Sequence, residues 1–101
     1  MGNTTMVSTG TVEKTITSSK GQHAPRYRVL LHNDDFNSME YVVESLVKTV
    51  PSLSVPQAVD IMMQAHNSGV GLVIVCELEH AEFYSEMLCS KGLSSTIEPD
   101  E

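Results

Sequence analysis

The sequence predicts an α+β fold: a three-stranded antiparallel sheet with three helices packed on one face. Three observations carry this expectation. Two stretches with apolar residues at helical spacing follow one another, each opened by a capping-box pattern. Three short apolar or alternating runs have strand length. The segments read in the order strand, helix, helix, strand, helix, strand.

Residues 1–25 are rich in Thr, Ser and Gly, carry few apolar side chains and end at Pro25, so a flexible N-terminal extension is expected there. A single domain is expected over 26–101. Tyr27-Arg28-Val29-Leu30-Leu31 reads as its first strand, stopped by the polar run His32-Asn33-Asp34-Asp35. Asn37 is the predicted N-cap of the first helix, with Glu40 three residues on. Met39, Val42, Val43, Leu46, Val47 and Val50 then share one helical face, and Pro51 ends the helix. Ser54 opens the second helix with Pro56 in its first turn and Gln57 completing a capping box. Its apolar stripe is Val55, Ala58, Val59, Met62 and Ala65, and Gly69 is placed as its C-cap. Val70 to Cys76 is apolar on both faces and is expected to be a central strand. Glu77, Glu79 and Glu82 suit the positive end of a third helix reaching about Ser90. Leu93 to Glu98 alternates as the last strand.

Charge is unevenly spread along the chain. Residues 1–28 hold four cations against one carboxylate, net +3, while residues 29–101 hold two cations against twelve carboxylates, net −10. So acidic a body repels phosphate backbones, which argues against nucleic-acid binding, and it favours cationic groups or simply solubility. No apolar run approaches the ~20 residues of a membrane span, and the first residues lack a secretory-signal pattern. A soluble monomer of the cytoplasm, or of the plastid stroma, is expected. Cys76 and Cys89 have no CxxC spacing and read as two buried thiols in a reducing compartment.

Asn33-Asp34-Asp35 lies between a strand and a capped helix, where side chains are held by two rigid elements. The same residue types also build turns and caps with no further role. His66 falls near the end of the second helix, as a C-cap or, if the first two helices form a hairpin, near that acidic loop. Met39, Val42 and Met62 are core candidates that also lie close to these polar groups. Together they would make an apolar hole rimmed by acceptors. An ammonium group needs acceptors only, and methionine lining adapts to an attached apolar side chain. The free N-terminus of a chain starting with a large hydrophobic residue is such an object. Catalysis fits poorly, with no G-x-S-x-G, no HExxH, no phosphate-binding loop and no Cys placed beside a His. Asp34 and Asp35 are adjacent and do not suit a pair flanking a scissile bond. A metal set of Asp34, Asp35 and His66 would be incomplete. No cofactor, metal or catalytic residue is expected.

The stretch Arg28-Val29-Leu30-Leu31-His32-Asn33-Asp34-Asp35-Phe36, followed by Met39-Glu40-Tyr41-Val42-Val43, resembles the ClpS family of N-end-rule adaptors. Ala58, Ile61-Met62 and Ala65-His66-x-x-Gly69 continue the match, which covers Tyr27 to about Glu98. The resemblance implies a non-enzymatic adaptor that binds hydrophobic N-terminal residues (Leu, Phe, Tyr or Trp) of substrate proteins. It would deliver them to a Clp/Hsp100 ATPase, ClpC or ClpA, for degradation. By position, α-amino binding falls to Asn33, Asp34, Asp35 and His66, and the apolar pocket to Met39, Val42, Met62, Ala65 and Leu93. Met39 matches a gatekeeper against β-branched first residues, and Glu79 and Tyr84 fall at ATPase-docking positions. The N-terminal extension would reach toward the ATPase during hand-over. Asn37-Ser38 departs from a common Thr-Pro, Ala65 from a common Val, and Tyr84 from a common Lys. The Val70–Val75 strand and Val50-Pro51-Ser52-Leu53 are similar to the cyanobacterial and plastid branch. The alternative within the same fold is a regulator that docks on the ATPase without reading hydrophobic N-termini.

Overall fold

A computed structural model describes residues 24–101; the expected N-terminal extension lies, but for its last two residues, outside the described residues. The elements are β1 (Arg26–His32), α1 (Met39–Thr49), α2 (Val55–Ser68), β2 (Val70–Glu77), α3 (Leu78–Ser90) and β3 (Ser95–Pro99). The sheet is antiparallel in the order β2-β1-β3, with Val29 opposite Ile74 on one side and Ile97 on the other. Val29 and Leu31 of β1 are buried beneath the helices, alternating with residues on the open face. On that open face Arg28 reaches across to Glu98 of β3 and to Asp100 just beyond it. Among the described residues no helix is long and apolar enough to cross a membrane.

The helix hairpin forms for local reasons. Ser54 accepts from the Gln57 N–H while Gln57 accepts from the Ser54 N–H, a reciprocal capping box. Gly69 closes α2 at φ 90°, a left-handed conformation that a residue with Cβ adopts at a cost, and its N–H reaches the Ala65 carbonyl. α2 lies close against β2. A Cβ on Gly71 would stand 2.6 Å from the Ile61 carbonyl oxygen, so this approach requires glycine. Leu46 of α1 and Leu88 of α3 are fully buried and join the three helices to the sheet.

Five local expectations are corrected. β1, not β2, is the central strand, and β2 lies at the edge. Its long apolar run arises because a bulge opposite Val29/Leu30 inserts one residue into β2. Gly71 and Val73 face the core before the bulge, and Ile74 and Cys76 pack on it after the phase has shifted. The N-cap of α1 is Ser38, whose Oγ accepts from the Tyr41 N–H; Asn37 is engaged elsewhere. Leu93 precedes β3 in a turn: Gly92 sits at φ 88° and the Leu93 N–H caps the Leu88 carbonyl, which turns the leucine inward. Val55 and Val59 of the α2 stripe are exposed instead of facing the core. Both cysteines are free, but Cys76 is half-buried and Cys89 exposed.

Candidate functional site

One end of the sheet, the loop 33–38, the end of α2 and the turn 91–94 meet around a narrow cleft. Backbone hydrogen bonds set this frame. The Asn33 N–H donates to the Gly69 carbonyl at 2.9 Å, so the acidic loop is fastened to the residue that caps α2. That bond brings the loop beside His66, one turn back on the same helix. The His32 N–H donates to the Ser94 carbonyl at 2.9 Å, which ties the strand to the turn carrying Leu93.

The cleft brings together eight of the residues singled out from the sequence. Asn33, Asp34 and His66 form its polar side, and Met39, Val42, Met62, Ala65 and Leu93 its apolar wall. Val42, Met62, Ala65 and Leu93 are buried, whereas Met39 stands at the mouth, 47% exposed. Asp35 is exposed and lies outside the lining. Glu79 and Tyr84 are also elsewhere, at the start and middle of α3. There Tyr84 packs on the core and stacks with His80 at a ring separation of 6.4 Å.

Leu31, His32 and Asn37 line the cleft as well and were not expected from the sequence. His32 is half-buried, its Nε2 2.7 Å from Thr96 Oγ1 on the neighbouring strand. Asn37 is the centre of a small network. Its Nδ2 donates to Asp34 Oδ2 and, at 3.0 Å, to the Gly92 carbonyl across the cleft. One turn into α1, the Tyr41 hydroxyl donates to the Lys91 carbonyl at 2.6 Å. The start of α1 thus holds the turn that presents Leu93. The signal that could have pointed to Asn37 was its place among cap-competent residues, but its Gly92 partner lies 55 residues away.

Asp34 folds back on its own loop. Its Oδ1 accepts from the Phe36 N–H at 2.6 Å and the Asn37 N–H at 3.2 Å, an Asx turn. The Asn37 amide foremost, and then the Phe36 N–H, hold the carboxyl below the usual carboxylate range. It is the only carboxylate in the lining, and the lining contains no Lys or Arg. The arrangement offers one fixed negative charge, an amide and an imidazole around an apolar hole, which suits a cation carrying an apolar group. Among the described residues no three His, Cys, Asp or Glu side chains gather as a metal-binding group.

Comparison with known proteins places these observations in context. Residues 22–96 match the family described as ATP-dependent Clp protease adaptor protein ClpS. The ATP-dependent Clp protease adapter protein ClpS of Synechococcus elongatus is 67% identical over 91 residues, covering 90% of this chain and 96% of that protein. A chloroplastic adapter of the same description from Arabidopsis thaliana is 51% identical over 77 residues, 76% of this chain and 48% of that longer protein. Among solved structures, Agrobacterium tumefaciens ClpS2 bound to L-phenylalaninamide superposes with a TM-score of 0.70 at 31% identity. It covers 77% of this chain and 100% of that one.

Proposed function

The chain belongs to the ClpS family of ATP-dependent Clp protease adaptors, and from that premise we propose that it captures proteins through a hydrophobic N-terminal residue for delivery to the protease. It is an adaptor and not a catalyst. The observation that carries the capture reading is the cleft itself, where the single carboxylate of Asp34 stands beside a wall of Met39, Val42, Met62 and Leu93. An α-ammonium group donates to Asp34, Asn33 and a ring nitrogen of His66, while the attached side chain displaces water from the apolar hole. The Agrobacterium relative is bound to L-phenylalaninamide, whose free amine and aromatic side chain have this chemistry.

Each substituent sets one requirement. The first residue must be unacetylated, because an amide nitrogen carries no charge and too few donors. It must be large and apolar (Leu, Phe, Tyr or Trp). Met39 at the mouth narrows the entry beside the first side chain, against β-branching. Ala65 leaves the wall two methyl-sized groups short of valine, which favours bulkier guests; a methylene's difference is worth about 1–3 kcal/mol in discrimination. Asp35, exposed outside the lining, contributes through charge alone. Glu79 and Tyr84 on α3 supply the docking surface for a ClpC or ClpA ATPase. The adaptor acts as a monomer in the cytoplasm or plastid stroma.

Fluorescence anisotropy of short labelled peptides beginning with Leu, Phe, Tyr, Trp, Val or Ala tests the capture reading, with an N-acetylated Leu peptide as control. The expected result is micromolar or tighter binding to the large apolar N-termini, lost on acetylation. No binding to any of them would leave an ATPase-docking regulator as the function of this fold.

A further inference from the structure

A second apolar concavity runs between α1 and α2, an open groove of about 890 Å³ lined by Met39, Val43, Val47, Val55, Val59 and Met62, with Glu40, Glu44 and Lys48 along its edge. Its residues belong to the stripes that hold the hairpin together, yet Val55 is 56% exposed and Val59 38%. Single exposed apolar residues are ordinary, but a continuous apolar groove marks an interaction surface.

We propose that this groove is a downstream subsite that binds the residues following the substrate's N-terminal residue, and so reads a short apolar segment as well as the terminus. The inference rests on the capture reading above. Its first support is continuity: Met39 and Met62 line both the cleft and the groove. A chain whose first side chain fills the cleft leaves over exposed Met39 and enters the groove at once. The second support is length. Met39, Val43 and Val47 stand at i, i+4 and i+8 on α1, a row of about 12 Å. Three extended residues span about 10 Å, so positions 2 to 4 of the substrate match the row. Successive side chains of an extended segment point to opposite sides, so either positions 2 and 4 or position 3 face the valines. The third support is charge. Glu44 is paired with Lys48 at 3.1 Å, while Glu40, beside the mouth, makes no ion pair among the described residues. The edge is therefore net negative, and the segment it accepts is apolar and free of acids.

The test uses the full chain and labelled peptides with Phe first and Ala at positions 2 to 4, into which one Leu is moved from position 2 to 3 to 4. At the best position Leu is expected to tighten binding about tenfold over the all-Ala parent, the gain from burying roughly half a leucine side chain. Val59→Asp, an exposed change away from the cleft lining, is expected to erase that gain and leave the parent's affinity and its need for a free amine unchanged. Parent binding with no gain at any position overturns the groove and leaves the capture reading standing. No binding of the parent, or binding that survives acetylation, overturns both. A dimer of the free chain that Val59→Asp dissociates, with no effect of the downstream Leu, overturns the proposal in favour of a second copy in the groove.

Discussion

The fold passes from strand to helix twice, and the two junctions differ. Between β1 and α1 the chain inserts six residues, 33–38, and the side chains of Asp34, Asn37 and Ser38 among them are engaged in hydrogen bonds. Between β2 and α3 there is no insertion: Glu77 ends the strand, Leu78 begins the helix, and the Glu77 side chain makes no capping bond. The first junction costs more chain entropy but gains a walled concavity with a fixed charge. The second turns quickly and leaves its carboxylates at the helix N-terminus, favoured by the dipole and without a hydrogen bond or ion pair among the described residues. A strand-to-helix step becomes a binding site when the loop is long enough to fold back on itself.

The sharpest way to break this contrast is Asp34→Ala. It removes the only negative charge of the cleft and the acceptor of the Asx turn, so peptide affinity is expected to fall a hundredfold or more, from about 1.5–3 kcal/mol per charged hydrogen bond lost. Asp35→Ala, one residue along but outside the lining, is expected to weaken binding less than tenfold. Equal effects of the two changes in the same peptide titration would dissolve the distinction between them.

Next in size is Asn37→Ala, which strips a partner from Asp34 and from the Gly92 carbonyl together. About tenfold weaker binding is expected, at ~1–1.5 kcal/mol for the pair of bonds. Hydrogen exchange at residues 91–94 should quicken alongside it. Intact protection there would show that Tyr41 holds the turn alone.

A smaller effect is expected from pH. The Asp34 carboxyl is held below the usual range, so its contribution is present at neutral pH and lost only as pH falls below that range. Between pH 8 and 5.5 the acid stays ionised, so peptide affinity is expected to hold across this window in an anisotropy titration and to fall only in stronger acid. His66→Ala, which removes an imidazole from the polar side of the cleft, is expected to weaken peptide binding severalfold at constant pH. If His32→Ala weakens it instead, the acceptor role moves to the strand.

The smallest effect should come from the other junction. Glu79→Gln is expected to leave peptide affinity unchanged and to shift stability by no more than about 0.5 kcal/mol, as for most surface substitutions. Loss of peptide binding in this variant would mean that the two junctions are coupled.

What the sequence made legible divides along a physical line. Interactions closed within four residues were readable: the Ser54–Gln57 box and the Gly69 cap both occur as expected. Features decided across the fold were not. Asn37 and Ser38 are equally good caps by type, and the choice was made by a carbonyl at Gly92. The β2 bulge depends on pairing with β1, so a phase-shifted edge strand looked like a buried central one. In the site, residue types and spacing pointed to Asn33, Asp34, His66, Met39, Val42 and Met62, and the resemblance added Ala65 and Leu93; the Asn33–Gly69 bond joins the two motifs that carry most of them. His32 escaped notice because a histidine ending a strand has no local signature of the cleft beside it. The groove escaped because its valines have the spacing of core residues, and spacing records a shared face but not what covers it.

The Asx turn at Asp34 has a kinetic consequence. The Asp34 carboxylate is held by its own loop, so on the proposed capture function no ordering step precedes acceptance of a guest. Encounter then proceeds at the rate of a rigid site, about 10⁵–10⁷ M⁻¹s⁻¹ for docking of this kind, and differences among guests appear almost wholly in how long each one stays. On the proposed capture function the chain is a carrier that must relinquish its cargo, so dwell time is the quantity to be set, and the apolar wall is what would set it.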